Sequence, residues 1–291
     1  MPRKFKQVDV FTKVAFKGNA VAVFFDADDL NDDQMQQIAT WTNLSEATFV
    51  LKPTTEKADY QLRIFTPAQE LPFAGHPTVG SAFALLESGL VKPNSSGQLI
   101  QECKAGLIPI DVGNDYSIKF RLPKPVIVDF AKDSEITSDT ADALGITVED
   151  IVEEQASVLV GPNWLVTKLK DSDSILNLEP NYSKVTALSL KYGVDGIQTF
   201  GEYPNVGDKI ESRTFAPTTG TNEDFACGSG AGSIGVFINK TSKSKFTSAQ
   251  VKNIEQGRKC QRDARIQVTI SGDDVFVGGF AVSVIDGECI L

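Results

Sequence analysis

The sequence predicts an α+β protein made of two similar lobes, and three observations support that prediction. The chain has 291 residues, which is more than one domain usually holds. Strand-like alternation and helix-like spacing of apolar residues follow one another in both halves. A set of motifs near residue 63 also returns about 150 residues later, as a duplicated unit would. We therefore expect an N-terminal lobe over 1–125 and a C-terminal lobe over 126–275, with 276–291 returning as a strand to the first lobe.

The first half of the chain alternates between strand and helix patterns. Asn31 is a typical N-cap for a helix over 32–42, in which Met35, Ile38 and Ala39 share one face. A buried helix is predicted over 76–89, with Pro77 in its first turn. The strand patterns lie in 6–12, 19–25, 46–51, 60–66, 99–103, 107–113 and 116–122. The second half begins again with a helix pattern over 138–145, followed by strands in 156–161 and 164–169.

An internal repeat links the two halves. Arg63, Phe65 and Pro67 recur 150 positions later, in the same R-x-F-x-P spacing, as Arg213, Phe215 and Pro217. Further matches, displaced by 152 positions, pair Phe73-Ala74 and Gly80-Ser81 with Phe225-Ala226 and Gly232-Ser233. Each copy is predicted to contain a strand, a glycine-bearing turn and a helix. Because helix N-termini attract anions, we expect the two turns to line one cleft between the lobes that binds a carboxylate.

Composition excludes several classes of function. A formal net charge of −10 argues against DNA or RNA as a partner, because nucleic-acid binding rests on a basic surface. No apolar run reaches the roughly 18 residues of a membrane span, and we expect no secretion signal, because the first residues pass straight into a strand pattern. The four cysteines are scattered without C-x-x-C spacing, so neither a zinc site nor a disulfide framework is predicted. We expect a cytoplasmic location, in a reducing compartment.

Three glycines in the second copy, Gly230, Gly232 and Gly235, fit the G-x-G-x-x-G spacing of a dinucleotide-binding loop. Such a loop should lie between the first strand and helix of a βαβ unit, and another strand should follow the helix. No strand is expected in 239–253, where it should lie. We therefore predict no nucleotide cofactor, and we expect these glycines to let a helix start near a small ligand and pack tightly against the sheet.

Four long segments resemble the phenazine-biosynthesis isomerase family, also called PhzF-like. They are "NLSEATFV" (43–50), "RIFTPAQELPFAGHPTVGSA" (63–82), "GPNWLV" (161–166) and "RTFAPTTGTNEDFACGSGAG" (213–232), and the similarity extends over essentially the whole chain. The resemblance implies the diaminopimelate epimerase fold, in which each lobe is a mixed sheet curled around a central helix and the active site lies between the lobes. It also implies a cofactor-independent isomerase or epimerase, commonly a homodimer, that moves a proton on a small carboxylate.

In the first copy, the resemblance assigns catalytic roles to Glu46 and to His76, the only histidine of the chain. Moving a proton from carbon needs a base and donors that stabilise the developing charge. Glu46 matches the family's catalytic glutamate, and His76 follows Gly75 in the family's "GHPT" motif. Asn19 and Gly75 are expected to contact substrate. From the residues alone, Glu46 could equally be a capping or surface residue and His76 a structural one. A metal is not expected, because a single histidine without further ligands makes no coordination set.

In the second copy, Asp224 is the third expected catalytic residue. Gly228, Ser229 and Cys227 are expected to bind substrate, with the N–H of Gly228 and the hydroxyl of Ser229 receiving a carboxylate. Asp224 could instead only cap the helix, and Glu223 is expected to be structural or supporting. The chain departs from the family at Phe225, where proline is typical, at Cys227, where threonine is typical, and at Ala20, where proline is typical.

Cys227 leaves several hypotheses open. Diaminopimelate epimerase and proline racemase use cysteines as acid and base, but the counterpart of Cys227 in the first copy is Ala74, so a second thiol is missing. A Cys227–His76 pair would suit a thiol hydrolase, and a buried inert thiol is the third option.

The function classes that remain are an isomerase and a binding or regulatory protein that kept the fold and lost turnover. Glu46, His76, Asp224 and Ser229 together favour the enzyme.

Overall fold

The computed structural model describes residues 2–130, 134–242 and 248–291. The chain divides into two compact units: unit 1 contains residues 1–121 and 278–291, and unit 2 contains residues 122–277. These boundaries lie a few residues from the sequence-predicted ones, which follow residues 125 and 275.

The strands of the described residues are, in chain order, β1 (Pro2–Val10), β2 (Asn19–Phe24), β3 (Glu46–Leu51), β4 (Tyr60–Phe65), β5 (Glu70–Leu71), β6 (Gln98–Cys103), β7 (Gly106–Val112), β8 (Ile118–Arg121), β9 (Val126–Asp129), β10 (Ala156–Leu159), β11 (Asn163–Lys168), β12 (Gly196–Glu202), β13 (Lys209–Ala216), β14 (Thr221–Asp224), β15 (Gln250–Gln256), β16 (Ala264–Ser271), β17 (Asp274–Gly279) and β18 (Ala281–Ile290). The α-helices are α1 (Asp32–Thr42), α2 (Gly75–Glu87), α3 (Ser134–Leu144), α4 (Ser172–Leu176), α5 (Tyr182–Tyr192) and α6 (Gly228–Thr241).

Unit 1 is a mixed sheet around a central helix. Strand β1 pairs antiparallel with β2 and β18, β2 runs parallel to β3, and β3 is antiparallel to β4. Strand β4 pairs parallel with β6 and antiparallel with the short β5, and β6, β7 and β8 form an antiparallel meander. Helix α2 packs against β1, β2, β3, β8 and β18, and most of its residues from His76 to Leu85 are buried.

Helix α1 covers a second apolar layer of unit 1. Met35 and Ala39 of α1 are buried against a cluster that includes Phe24, Phe49 and Phe65, and the rings of Phe24 and Phe49 stack with centroids 5.2 Å apart. The predicted N-cap is confirmed: Asn31 accepts the N–H of Gln34, and the side chain of Gln34 bonds back to the N–H of Asn31.

Unit 2 repeats this topology. Strand β10 is antiparallel to β9 and β11, β11 runs parallel to β12, and β12 is antiparallel to β13. Strand β13 pairs parallel with β15 and antiparallel with the short β14, and β15 is antiparallel to β16. Helix α6 packs against β10, β11, β12 and β16, as α2 packs in unit 1. Helices α3, α4 and α5 enclose a separate apolar cluster against β11, β12 and β13.

The structure confirms the duplication and corrects its alignment. Helices α2 and α6 begin at Gly75 and Gly228, 153 positions apart, so the N-cap residues Ala74 and Cys227 correspond. The two matches at 152 positions, Phe73-Ala74 with Phe225-Ala226 and Gly80-Ser81 with Gly232-Ser233, are therefore each shifted by one position. Gly75 lies 10 positions after Phe65, whereas Gly228 lies 13 positions after Phe215. The second copy therefore has three extra residues in this segment, which contains a short 3-10 helix over Pro217–Thr219, and they account for the change from 150 to 153.

One sequence expectation about α6 is wrong and another is confirmed. Strand β15 follows α6 at Gln250–Gln256, in the segment where no strand was expected. The tight packing of the helix is confirmed, because a Cβ atom at Gly232 would lie 2.5 Å from Leu122 Cδ1, and one at Gly235 would lie 2.5 Å from Val268 Cγ1. Helices α4 and α5 were not anticipated, and α3 begins at Ser134 rather than 138. Among the described residues, no helix is both long and apolar enough to span a membrane.

Candidate active site

In unit 1 the structure brings Glu46 and His76 together. Glu46 is the first residue of β3 and His76 is the second residue of α2. The Oε2 atom of Glu46 lies 3.1 Å from Nδ1 of His76, and the two side chains are only 16% and 6% exposed. Glu46 Oε2 and His76 Nε2 are both shielded from solvent. The pair therefore places a carboxylate and an imidazole within proton-transfer distance of each other, in a largely buried site.

Asn19 lies beside this pair. It is the first residue of β2, which runs parallel to β3 with Val21 opposite Glu46. The hydroxyl of Ser45 donates to Asn19 Oδ1 across 3.5 Å, and Asn19 is 3% exposed. Unit 1 thus gathers the predicted residues Asn19, Glu46 and His76 where β2 and β3 begin.

Gly75 allows an aromatic ring to lie against the turn that carries His76. A Cβ atom at Gly75 would lie 2.5 Å from Cζ of Phe120, and Phe120 also packs edge-on against Phe73 at 5.3 Å between ring centroids. The turn is therefore covered by apolar surface, which strengthens electrostatic interactions in its neighbourhood by lowering the local dielectric.

In unit 2 the predicted residues Asp224, Cys227, Gly228 and Ser229 lie in one turn between β14 and α6. Cys227 is the N-cap of α6, and its Sγ accepts the N–H of Gly230 at 3.3 Å. Gly230 occupies the third position of the helix, whose N–H the side chain of an N-cap residue usually satisfies. The Cys227 thiol therefore takes the place that a serine or threonine hydroxyl commonly fills.

The N-cap difference between the two units follows from the third helix position. In α2 that position is Pro77, which has no N–H, and the N-cap Ala74 offers no side-chain acceptor. In α6 it is Gly230, which has an N–H, and Cys227 accepts from it. The N-cap side chain therefore accepts a hydrogen bond in α6, where the third residue has an N–H, and has no such role in α2, where the third residue is proline.

The chemical state of Cys227 is that of a neutral thiol. Its side chain is buried. Burial raises the pKa of the Cys227 thiol well above its usual range, and the negative charge of Asp224 adds to the rise. A thiolate is the reactive form of cysteine, so this environment disfavours the acid/base and nucleophile hypotheses and favours the capping role.

Ser229 accepts a hydrogen bond from Trp164, for which the sequence indicates no role. The indole Nε1 of the buried Trp164 donates to Ser229 Oγ at 3.1 Å, and Cys227 Sγ lies 3.4 Å from the same oxygen. Because the indole is only a donor, it fills an acceptor site on the hydroxyl and leaves the hydroxyl hydrogen for another acceptor. Trp164 lies in the segment "GPNWLV" that carries part of the family resemblance, but the sequence did not indicate its contact with Ser229.

Gln256 hydrogen-bonds to both ends of the Asp224–Cys227 turn. Its Nε2 donates to the carbonyl of Asp224 at 2.9 Å, and its Oε1 accepts the N–H of Cys227 at 3.2 Å. Asp224 Oδ1 also accepts the N–H of Ala226 at 3.1 Å, within the turn. Gln256 is fully buried at the end of β15, the strand that was not anticipated, and nothing in the sequence indicated its role.

Among the described residues, no group of three or more histidine, cysteine, aspartate or glutamate side chains is arranged to hold a metal ion. The expected cleft between the two turns stays a prediction, and so do the individual roles of the site residues.

The chain is similar to known proteins in both sequence and fold. The profile of the family described as "Phenazine biosynthesis-like protein" matches residues 8–287. The chain is 45% identical to "Antisense-enhancing sequence 1" of Schizosaccharomyces pombe, covering 99% of this chain and 98% of that protein. It is 34% identical to the trans-2,3-dihydro-3-hydroxyanthranilate isomerase of Pseudomonas fluorescens, covering 93% and 96%. The crystal structure of a PhzF family protein from Bacillus anthracis superimposes with a TM-score of 0.88 at 28% identity, over 100% of both chains.

The fold, the duplicated units and these relatives define an isomerase built from two similar mixed-sheet units. Within that class, the chain belongs to the phenazine biosynthesis-like, or PhzF-like, family.

Proposed function

We propose that this chain is a cofactor-independent isomerase that moves a proton on a small carboxylate by general acid–base catalysis. The observation that carries the proposal is the 3.1 Å approach of Glu46 Oε2 to His76 Nδ1 in a site shielded from water. Acid–base catalysis at carbon needs such a pair, because one group must take the proton while another stabilises the charge that develops.

Glu46 acts as the base. It takes a proton from an acidic C–H of the substrate, and the electron pair of the broken bond delocalises toward the substrate's carboxylate or conjugated system. His76 donates a hydrogen bond to the charge that develops. The proton then returns to a different face or a different carbon, so that the product is an isomer and no co-reactant is consumed.

The α6 turn receives the carboxylate of the substrate. The N-terminal N–H of Gly228 and the helix dipole of α6 favour an anion there, and the hydroxyl of Ser229 can donate because Trp164 already occupies one of its acceptor sites. Asp224, which ends β14 directly before the same turn, orients the substrate. Cys227 contributes by fixing the first turn of α6.

The substrate class is tested first with trans-2,3-dihydro-3-hydroxyanthranilate, because a relative that is 34% identical is named for its isomerisation. A panel of small carboxylates with acidic C–H groups extends the test, and product formation is followed by NMR. We expect Glu46→Gln to lose turnover about 100- to 10,000-fold, the contribution of general acid–base catalysis. Glu56→Gln removes an exposed carboxylate from the same unit and should retain wild-type turnover.

Binding without conversion of any carboxylate tried would favour a binding or regulatory protein over the isomerase. Turnover of Glu46→Gln at the wild-type rate would show that Glu46 is not the base.

We also propose a homodimer in the reducing environment of the cytoplasm. In unit 2, Val126 lies opposite Leu159, and Val126, Val128 and Leu159 share one exposed apolar face of β9 and β10, which supports contact with a second copy. All four cysteines are free, which supports the reducing location. Light scattering coupled to size-exclusion chromatography tests the dimer, and a monomer at micromolar concentration would contradict it.

A further inference from the structure

The two copies of the internal repeat contain the same arginine–glutamate pair. In unit 1, Arg63 Nε and Nη2 donate to Glu70 Oε1 and Oε2 at 2.8 and 2.6 Å. In unit 2, Arg213 Nε and Nη2 donate to Glu223 Oε1 and Oε2, both at 2.8 Å. The same two nitrogens and the same two oxygens are used in both units. Such a bidentate arrangement fixes the orientation of the carboxylate as well as strengthening the ion pair.

A phenylalanine two positions after each arginine completes the arrangement. The guanidinium carbon of Arg63 lies 5.1 Å from the ring centre of Phe65, and that of Arg213 lies 4.9 Å from the ring centre of Phe215. Residues i and i+2 of a strand lie on the same face, so the R-x-F spacing places each arginine over its ring. The repeated motif is therefore a device for orienting a guanidinium group.

Each pair lies directly before a turn of the candidate site. Glu70 and Glu223 lie on the short strands β5 and β14, each five positions before the first residue of the following helix, Gly75 or Gly228. The ion pair connects the short strand, β5 or β14, to the strand that precedes it, β4 or β13. Only four residues then lie between the paired glutamate and the first helix residue, which restricts where the turn can lie.

We propose that Arg63–Glu70 and Arg213–Glu223 are positioning pairs that set the location of the two turns, and hence of His76 and Ser229. This inference rests on the proposed function, because positioning has a catalytic consequence only if the turns carry the chemistry. Neither pair includes a residue that is proposed to contact the substrate, and each acts through the turn that follows it.

Burial supports a positioning role over a purely stabilising one. The side chains of Arg213 and Glu223 are 6% and 8% exposed, and those of Arg63 and Glu70 are 18% and 11% exposed. A buried ion pair contributes little net stability compared with apolar side chains of similar size, because both charges lose their hydration. What the bidentate pair adds is a fixed direction and distance, which an apolar contact does not specify.

The chain contains a natural reporter for each turn. His76 is its only histidine, and Trp164, which bonds to Ser229, is one of only two tryptophans. The other, Trp41, is 85% exposed and serves as an internal reference. In a ¹⁵N-labelled protein the imidazole signal therefore reports on the unit 1 turn, and the buried indole N–H signal reports on the unit 2 turn, without any substrate.

Arginine-to-lysine variants test the pairs, because lysine keeps the charge and loses the bidentate geometry. We expect Arg63→Lys to shift the His76 signal and Arg213→Lys to shift the Trp164 indole signal, with the Trp41 signal unmoved. Turnover of an accepted substrate should fall about 10- to 100-fold in kcat, since a displacement near 1 Å can cost that much, while KM changes less than kcat.

Two controls separate positioning from general effects of charge. Asp32→Asn removes the exposed third partner of Arg63, which accepts from Nη1 at 2.7 Å, and leaves the bidentate pair in place. Arg265→Lys makes the same substitution at a half-exposed arginine of unit 2. Both controls should keep the reporter signals and kcat of the wild type. Glu223→Asp, which keeps the charge and shortens the reach, replaces Arg213→Lys if that variant does not fold.

Unchanged reporter signals in folded Arg63→Lys and Arg213→Lys would overturn the proposal, and so would shifted signals with unchanged kcat. If the wild type converts no carboxylate, the proposed function fails, and the reporter signals alone still decide whether the pairs set the positions of the turns.

Discussion

The helix-start turns of the two units share a framework and differ in chemistry. In both, a bidentate arginine–glutamate pair precedes a glycine that opens the central helix. In unit 1 the second helix residue is His76, which lies against Glu46. In unit 2 it is Ser229, which is bonded to Trp164. We infer from this comparison that the duplicated parts fix geometry, whereas the residues that differ give one turn a carboxylate–imidazole pair and the other turn a hydroxyl and backbone N–H groups.

The largest effect should come from breaking the more buried of the two ion pairs. Glu223→Gln leaves Arg213 in a site where its side chain is 6% exposed, and loss of one partner of a buried pair costs about 3–5 kcal/mol. Glu70→Gln should cost less, because Arg63 is more exposed and keeps Asp32 as a partner. Urea unfolding of both variants checks the order, and equal losses would contradict it.

A smaller loss of stability is expected from replacing Gly230, the third residue of α6, by alanine. Alanine is a better helix former than glycine by about 1 kcal/mol, so propensity alone predicts that Gly230→Ala stabilises. The structure predicts the opposite sign, because the new Cβ would lie 1.9 Å from Gln198 Oε1. Gln198 is fully buried and its Oε1 accepts a hydrogen bond from the Thr214 hydroxyl at 2.6 Å, so its amide cannot move aside freely, and overpacking costs about 1–3 kcal/mol. Gly207→Ala is the matched control, since no atom lies within 4 Å of its Cβ position. A more stable Gly230→Ala variant, measured by urea unfolding, would refute this packing.

The N-cap difference between the units predicts an asymmetry of stability. Cys227→Ala removes the acceptor for the Gly230 N–H and should destabilise by about 0.5–2 kcal/mol, as loss of an N-cap does. Cys227→Thr should preserve both stability and turnover. Ala74→Ser in unit 1 should bring no comparable gain, because Pro77 has no N–H to cap. Loss of turnover in Cys227→Thr at an unchanged melting temperature would instead make the thiol an acid/base group.

The smallest effect should appear in the pH dependence of stability. Burial alone would raise the pKa of Glu70, but hydrogen bonds from Arg63 and Lys104 outweigh it, and the pKa lies below its usual range. A depressed carboxyl pKa contributes stability above the unfolded-state value of about 4.3, and that contribution is lost as the pH falls through the folded-state pKa. The difference in unfolding free energy between wild type and Glu70→Gln should therefore be constant above about pH 5 and shrink in more acidic solution. A difference that grows on acidification would contradict the pairing.

The duplication could be predicted from the sequence because its signals are local. R-x-F-x-P and the glycine-bearing helix starts are short motifs, and the capping residue Asn31 fixes the start of α1. The one-position error at Phe73 and Phe225 arose because the segment from Phe215 to the start of α6 is three residues longer than the segment from Phe65 to the start of α2. Letter matching has no means of locating such an insertion.

The parts that escaped prediction depend on contacts distant in sequence. Strand β15 has few apolar residues, and its polar Glu255 and Gln256 are buried because hydrogen bonds and ion pairs satisfy them. Gln256 and Trp164 reach the α6 turn from 29 and 65 positions away. The carboxylate partners of Arg63 and Arg213 became apparent only when the short strands β5 and β14 were placed beside β4 and β13.

The division of labour between the turns is tested most directly by measuring substrate affinity and turnover for Glu46→Gln and Ser229→Ala side by side. Calorimetric titration gives Kd, and product formation gives kcat. Glu46→Gln should keep Kd and lose about 100- to 10,000-fold in kcat, because the base acts on the proton rather than on binding. Ser229→Ala should weaken Kd about 10- to 150-fold, the value of a hydrogen bond to a charged group, with a smaller change in kcat. A Glu46→Gln variant that turns over at the wild-type rate, or that loses affinity while Ser229→Ala loses only kcat, would contradict the account.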